Sequence, residues 1–144
     1  MASRKTLAVA ESCSGGFIAH CITNVPGASE IFLGGLVAYS NAAKMTVLGV
    51  REECLLREGA VSEATARAMA EGARRLFQSD YAVSATGIAG PGGGTMDKPV
   101  GLVYVAVACA DATRATRCLF SGVREDIKRQ TADKALSMLV EWLA

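Results

Sequence analysis

The sequence predicts an α/β domain with a mixed sheet and helices on both of its faces. Three observations carry this prediction. Apolar runs of strand length alternate with segments whose apolar residues recur at helical spacing. Glycine and proline mark the connections between these segments. Two late apolar runs are separated only by residues 110–112, a spacing typical of an antiparallel hairpin.

The elements follow one another in a simple order. Strands are predicted over residues 6–10, 31–39, 80–86, 100–109 and 113–120. Helices are predicted over residues 17–22, 42–48, 52–57 and 63–77, and a last helix opens at residues 121–122. Ser40 and Ser62 suit N-caps, and glycines at 49 and 59 suit helix ends. The pair of glycines at residues 34–35 predicts a bulge or a close backbone approach.

Length and composition exclude several classes of protein. The chain has 144 residues, which predicts one domain over residues 1–144. A net charge of +1 and few aromatic residues argue against a nucleic-acid partner. The apolar runs fall short of the ~20 residues that a membrane span needs. Five cysteines without a CxxC pair, and no recognisable secretion signal, favour the cytoplasm and no disulfide framework.

A first strand-to-helix junction carries the segment AESCSGG at residues 10–16. Ser12, Cys13 and Ser14 are all candidate nucleophiles, and such junctions are where open α/β sheets bind ligands. The only histidine, His20, lies within the following helix, eight residues after Ser12, and is interpreted as a structural or surface residue. A multi-histidine metal site is therefore excluded. A nucleophilic serine would need a lysine, a tyrosine or a carboxylate as its partner.

A second junction carries YSNAAK at residues 39–44. If both strands lie in one sheet, Ser12, Tyr39 and Lys44 converge as a nucleophile and a base pair. The alternative is that Lys44 is a solvated helix lysine and Tyr39 a rim aromatic. Ser40 and Lys44 are also spaced to meet on one helix face, although Ser40 is more simply an N-cap. Cys13 is either a thiolate stabilised at the helix N-terminus or a buried spectator.

Two further features suggest a site for an anion. The glycine-rich stretch at residues 87–94 lacks the ending of a P-loop, but it suits a backbone nest for phosphate or carboxylate. The alternative is a flexible loop. Arg124 falls in the first turn of the last helix, where a cation opposes the helix dipole. A phosphate would explain its position, as would a simple surface role, and Arg129 is the second choice.

These segments together resemble the CinA C-terminal domain family. The resemblance rests on residues 10–16 and 39–44, on GAVSE at 59–63, and on TGIAGPGGG at 86–94 with KPVG at 98–101. It covers nearly the whole chain in order. It implies a three-layer α/β/α sandwich with a mixed, mostly parallel sheet, and a homo-oligomer, dimeric or higher. Members usually carry a further helix before the first strand, whereas only residues 1–5 precede it here.

The resemblance also implies an activity. Stand-alone members are nicotinamide-nucleotide amidohydrolases, which convert nicotinamide mononucleotide and water to nicotinate mononucleotide and ammonia in pyridine-nucleotide recycling. Carried over, Ser12 is the nucleophile, Lys44 the general base and Tyr39 a proton relay or orienter, without metal or cofactor. The expected substrate-binding residues are Ser14, Gly15, Gly16, Ser29, Thr86, Gly87, Gly90, Gly92, Gly93 and Arg124.

Within this expectation, N–H groups around residues 14–16 stabilise the oxyanion, and Arg124 is associated with activity or the substrate phosphate. Two other functions stay open. One is a catalytically silent relative that binds a nucleotide or another anion. The other is an interaction module for competence-related proteins.

Overall fold

The computed structural model describes residues 4–143, and all the predicted strands and helices are present in it. Their ends differ from the predicted ones by two residues at most. The last helix starts at residue 124, with the side chain of Asp126 accepting a hydrogen bond from the N–H of Val123. The strands are β1 (Leu7–Glu11), β2 (Phe32–Val37), β3 (Tyr81–Gly87), β4 (Leu102–Ala108) and β5 (Thr113–Leu119). The helices are α1 (Phe17–Thr23), α2 (Asn41–Leu48), α3 (Glu52–Glu58), α4 (Glu63–Phe77) and α5 (Arg124–Leu143).

The five strands form one mixed sheet in the order β2-β1-β3-β4-β5. β1 pairs in parallel with β2 and with β3, whereas β4 pairs antiparallel with β3 and with β5. Only β4 therefore runs against the direction of the other strands. The chain leaves β1 toward β2 and then returns to the other side of β1 as β3. This reversal is a topological switch point, where open α/β sheets bind ligands at the carboxyl ends of their strands.

Helices cover both faces of the sheet, which confirms the three-layer α/β/α sandwich. Side chains alternate along β1, so Val9 packs toward α1 and α5 while Ala8 and Ala10 pack toward α2, α3 and α4. On the face covered by α4, small residues let this helix lie close to β4. Within residues 4–143, no helix combines the length and hydropathy that crossing a bilayer requires.

Glycines mark the closest backbone approaches of this fold. The pairing of β1 with β2 shifts register after Leu7, which faces Phe32 while the next residue faces Gly34. A side chain at Gly34 would collide with the ring of Phe77, because an ideal Cβ would lie 2.5 Å from it. The sequence predicted a bulge or a close backbone approach at residues 34–35. The register shift leaves out Leu33, just before this pair, and a Cβ at Gly35 would lie 3.3 Å from the carbonyl oxygen of Val9, which confirms the close approach. At Gly72 a Cβ would lie only 2.0 Å from the carbonyl oxygen at the end of α2, so α2 and α4 pack backbone to backbone.

Candidate active site

The carboxyl ends of the three parallel strands meet around one cavity of about 280 Å³. Ser12 directly follows β1, Tyr39 follows β2 by two residues, and Gly87 ends β3. The cavity thus lies at the switch point of the sheet. Its lining residues are Ser12, Cys13, Tyr39, Lys44, Ala60, Val61, Thr86, Gly87, Ile88, Ala89, Gly90, Gly92, Gly93 and Arg124.

Lys44 and Ser12 form the polar centre of the cavity. Lys44 Nζ lies 2.9 Å from Ser12 Oγ, 2.8 Å from the carbonyl oxygen of Ala38 and 3.1 Å from that of Tyr39. A neutral lysine amine has two N–H donors and one lone pair. The two carbonyls match the two donors, which leaves the lone pair for the hydroxyl proton of Ser12. The contacts of Lys44 therefore suit a base that removes this proton.

The surroundings of Lys44 favour its neutral form. The residue is only 1% exposed, and burial lowers the pKa of its ammonium below the ordinary 10.5. No carboxylate among residues 4–143 forms an ion pair with it. A lysine whose pKa is lowered by burial can act as a general base closer to neutral pH. Its burial also excludes the alternative of a solvated helix lysine.

The two competing nucleophile arrangements are not supported by the geometry. Cys13 is 5% exposed, and burial raises the pKa of its thiol to about 12, so the thiolate is scarce near neutral pH. Ser40 Oγ accepts a hydrogen bond from the N–H of Ala43 at 3.0 Å and caps α2, as predicted. Lys44 Nζ contacts Ser12 Oγ and not Ser40 Oγ. Ser12 is thus the candidate nucleophile that contacts a base.

Glu11 fixes the turn that carries Ser12, a role that the sequence analysis missed. Its carboxylate is 1% exposed and accepts hydrogen bonds from the N–H groups of Ile18 at 2.9 Å and Ala19 at 3.0 Å. The N-cap of α1 is Gly16, which has no side chain to satisfy these groups. Glu11 therefore caps α1 from the end of β1, and its position just before Ser12 was the available signal.

The predicted residues at 14–16 lie behind the cavity lining. Ser14 is fully buried and its Oγ finds no hydrogen-bond partner within the described chain. The N–H of Gly15 donates to the carbonyl of Ser12 at 3.1 Å, and a Cβ at Gly15 would lie 3.2 Å from Lys128 Nζ. Neither they nor Gly16 is among the lining residues. Their expected role in substrate binding and at the oxyanion site therefore stays a prediction.

The glycine-rich loop after β3 forms the opposite wall. Gly90 has a φ of +80° and Gly93 a φ of +88°, which glycine adopts without strain. Within residues 4–143, the main-chain N–H groups of Ala89, Gly90, Gly92 and Gly93 have no protein acceptor. A run of unpaired donors with left-handed glycines is typical of a backbone nest for an anion. The loop therefore offers donors to a negatively charged group at the cavity.

Arg124 connects this loop with the end of β2. Its Nη1 donates to the carbonyl of Gly90 at 2.6 Å, and its Nη2 donates to the hydroxyl of Tyr39 at 3.0 Å. The Tyr39 hydroxyl has no contact with Ser12 or Lys44, although the Tyr39 carbonyl binds Lys44. The second choice, Arg129, is exposed and pairs with Glu125 away from the cavity.

A third wall consists of Ala60 and Val61, which the sequence analysis did not assign to the site. The three consecutive carbonyls of residues 58–60 each accept a hydrogen bond from a side chain. The donors are Lys98 to residue 58, Ser62 and Thr65 to residue 59, and Thr86 to residue 60. No polar motif marks this segment, because its two lining residues are apolar. The resemblance at residues 59–63 was the only signal.

Two residues from the sequence analysis lie elsewhere. Ser29 is exposed in a single 3₁₀ turn, Ala28–Glu30, and does not line the cavity, which corrects its predicted place in the pocket. The short turn carries it along the surface between α1 and β2. His20 is exposed on α1 and stacks on Phe17, in agreement with a surface role. Within residues 4–143, no group of three or more His, Cys, Asp or Glu side chains is placed to hold a metal ion.

Comparison with known proteins gives consistent matches. The profile of the family described as CinA C-terminal domain matches residues 1–143. A putative competence-damage inducible protein of Moorella thermoacetica is 53% identical over 134 residues, which are 93% of this chain and 32% of that protein. One of Desulforudis audaxviator is 54% identical over 138 residues, which are 96% of this chain and 33% of that protein. The chain thus spans about a third of the length of these relatives.

Solved structures match over almost the whole of this chain. The competence/damage inducible protein CihA from Agrobacterium tumefaciens superimposes with a TM-score of 0.95 at 40% identity, covering 97% of this chain and 86% of that one. The competence damage-inducible protein A from Klebsiella pneumoniae superimposes with a TM-score of 0.93 at 35% identity, covering 96% and 86%. Both the sequence and the fold are therefore those of one family.

Proposed function

The chain belongs to the CinA C-terminal domain family, and we propose that it is an amidohydrolase that converts nicotinamide mononucleotide and water to nicotinate mononucleotide and ammonia. The observation that carries this proposal is the 2.9 Å contact between the buried amine of Lys44 and the hydroxyl of Ser12. A serine with a lysine base suits acyl transfer. The carboxamide substrate is the one that the family resemblance implies.

The proposed reaction needs only groups on this chain, the substrate and water. Ser12 Oγ attacks the carboxamide carbon while Lys44 Nζ takes its proton. The C–N bond then breaks, the proton passes to the leaving nitrogen, and ammonia departs from an ester on Ser12. Water attacks the ester and gives a proton to Lys44. The ester C–O bond breaks, the proton returns to Ser12 Oγ, and nicotinate mononucleotide is released.

The shape and charge of the cavity support an anionic substrate. A volume of about 280 Å³ corresponds to roughly nine water molecules, at about 30 Å³ each in the liquid, which suits a small ring held next to Ser12. The unpaired N–H groups of Ala89, Gly90, Gly92 and Gly93 provide partners for a phosphate at the rim. A cavity with these donors favours a nucleotide over a neutral amide.

The direct test is ammonia release from nicotinamide mononucleotide by the purified chain. We expect Ser12→Ala to lower kcat by about 10³-fold or more, because the nucleophile is lost. Ser137→Ala, which changes an exposed serine on α5, is the matched control and keeps full activity. Undiminished ammonia release by Ser12→Ala contradicts the assignment. Binding of the nucleotide without any ammonia release by the unaltered chain instead identifies a silent relative.

We further propose that the protein acts as a homo-oligomer, dimeric or higher, in the cytoplasm. The uncharged strand β2, which lies at one edge of the sheet, exposes Leu33 and Val37 and supports contact with a second copy. Light scattering after size-exclusion chromatography measures the mass directly. A monomeric mass at micromolar concentration contradicts this part of the proposal.

A further inference from the structure

The two terminal nitrogens of Arg124 are both engaged by walls of the cavity. One donates to the carbonyl of Gly90 and the other to the hydroxyl of Tyr39, so the guanidinium spans from the glycine-rich loop to the end of β2. An arginine that served only to bind phosphate would keep its donors unpaired in the free protein, whereas both terminal nitrogens of Arg124 are already hydrogen-bonded. This placement gives Arg124 a direct contact with a residue expected to handle protons.

The Arg124 contact determines how the Tyr39 hydroxyl is used. A guanidinium can only donate, so the Tyr39 oxygen must be the acceptor, and its own proton stays available for another partner. No other side chain among residues 4–143 forms a hydrogen bond with this hydroxyl. The Tyr39 residue is 60% exposed, so packing does little to fix its ring. Arg124 is therefore the polar contact that holds the phenol over the cavity.

The main chain of Tyr39 is held separately. Its carbonyl oxygen accepts from Lys44 Nζ at 3.1 Å, which is the same nitrogen that contacts Ser12. Lys44 and Arg124 thus fix the two ends of one residue, the backbone and the hydroxyl. A change at Arg124 would free the hydroxyl while leaving the contact between Lys44 and Ser12 intact.

From this arrangement we propose that Arg124 is a positioning residue that acts through Tyr39, whose hydroxyl it holds over the cavity as the proton donor to the leaving nitrogen. The inference rests on the amidohydrolase activity proposed above. As the C–N bond breaks, the Tyr39 proton passes to the nitrogen. Because the Tyr39 hydroxyl forms no hydrogen bond with Lys44, water in the cavity carries the proton that Lys44 took from Ser12 to the Tyr39 oxygen. The number of protons and the products are unchanged from the reaction above.

The kinetic test is a double-mutant cycle on nicotinamide mononucleotide with Arg124→Gln, Tyr39→Phe and the double variant. We expect each single change to lower kcat by a similar factor, on the order of 10², with little change in KM. The double variant should be no slower than Tyr39→Phe. Arg129→Gln, which removes an exposed arginine from the same helix, is the control and keeps full activity. A KM effect alone at Arg124, or effects that multiply in the double variant, overturns the proposal.

A second measurement does not depend on activity. Labelling with 3-fluorotyrosine gives ¹⁹F resonances for the three tyrosines, and Tyr39→Phe assigns the one from Tyr39. Arg124→Gln should move that resonance to the position of a solvated phenol, whereas Arg129→Gln should not. An unmoved Tyr39 resonance overturns the proposal. A chain that releases no ammonia refutes the proposed function, while the ¹⁹F spectrum still decides whether Arg124 holds Tyr39.

Discussion

Lys44 Nζ lies 2.8 Å from the carbonyl oxygen of Ala38, slightly closer than it lies to the hydroxyl of Ser12. The backbone that follows β2 therefore orients the amine of Lys44, and the position of this amine determines its contact with the Ser12 hydroxyl. Because the carbonyl lies in the main chain, no side-chain substitution at this position removes it. The reactivity of Ser12 is thus tied to the pairing of β2 with β1.

Removing the amine at position 44 should abolish turnover and leave the fold intact. Lys44→Met keeps the length of the side chain and removes the amine of a residue that is only 1% exposed, so the free energy of unfolding should fall little or rise. We expect kcat to drop by about 10³-fold, as for loss of a general base. Steady-state kinetics and urea unfolding measure the two effects. Lys134→Met on α5 serves as the control, and substantial activity in Lys44→Met would disprove the role of the amine.

The lowered pKa of Lys44 predicts the pH dependence of activity. kcat/KM should rise with pH and level off above the folded-state pKa of this lysine, which burial places below 10.5. The same profile should appear for Ser137→Ala, which leaves the site unchanged. An activity that is flat with pH, or that falls as pH rises through neutrality, would contradict a lysine base.

The same shift predicts a pH-dependent stability. Between the folded-state pKa of Lys44 and 10.5, the unfolded chain binds the lysine proton and the folded chain does not. The free energy of unfolding should therefore rise with pH across this window, and the burial penalty is fully present below it. Lys44→Met has no amine at this position and should lack this pH-dependent contribution to the free energy of unfolding. Unfolding of both proteins at several pH values tests the difference, and parallel curves would exclude it.

Cys13 should be dispensable despite its position next to the nucleophile. With a thiol pKa of about 12, only about one molecule in ten thousand carries the thiolate at pH 8. We expect Cys13→Ala to keep kcat within about threefold, and iodoacetamide at pH 8 to leave Cys13 unmodified in the folded protein. Peptide mass spectrometry with Cys54 and Cys109 as half-buried references measures the modification. Rapid inactivation that tracks alkylation of Cys13 would reverse this assignment.

Glu11→Gln should destabilise the fold. The amide keeps one acceptor oxygen but turns an NH₂ group toward one of the two N–H donors at the start of α1. Leaving one buried donor unsatisfied costs about 1–3 kcal/mol. Glu53→Gln, in the first turn of α3 at an exposed position, is the control. Equal urea midpoints for the two variants would show that the Glu11 carboxylate does not cap α1.

The fold was predictable because its signals are local and periodic. Strand-length apolar runs, the N-caps at Ser40 and Ser62 and the short hairpin connection each depend on a few neighbouring residues. The pairing of Ser12 with Lys44 was also within reach, since the carboxyl ends of parallel strands meet at one edge. The order of the strands, which places β1 between its two parallel partners, came only from the structure.

Other features of the site depend on three-dimensional geometry that the sequence pattern does not reveal. Whether the Glu11 carboxylate meets solvent, a cation or a helix end depends on how tightly the next five residues turn. Ser29 was expected at the pocket and lies instead on an exposed turn, because one 3₁₀ turn redirects the chain. Ala60 and Val61 contribute backbone and apolar surface, which no motif of polar residues reveals.

In the wall at residues 58–60, different groups determine where the wall lies and how much space it leaves in the cavity. Its place is set by main-chain carbonyls bound to Lys98, Ser62, Thr65 and Thr86, whereas Ala60 and Val61 line the cavity. Exchanging those two side chains for larger or smaller ones alters the volume facing Ser12 without releasing the anchors. Substrate range can therefore diverge among related sequences by changes at two positions while the reacting groups stay in register.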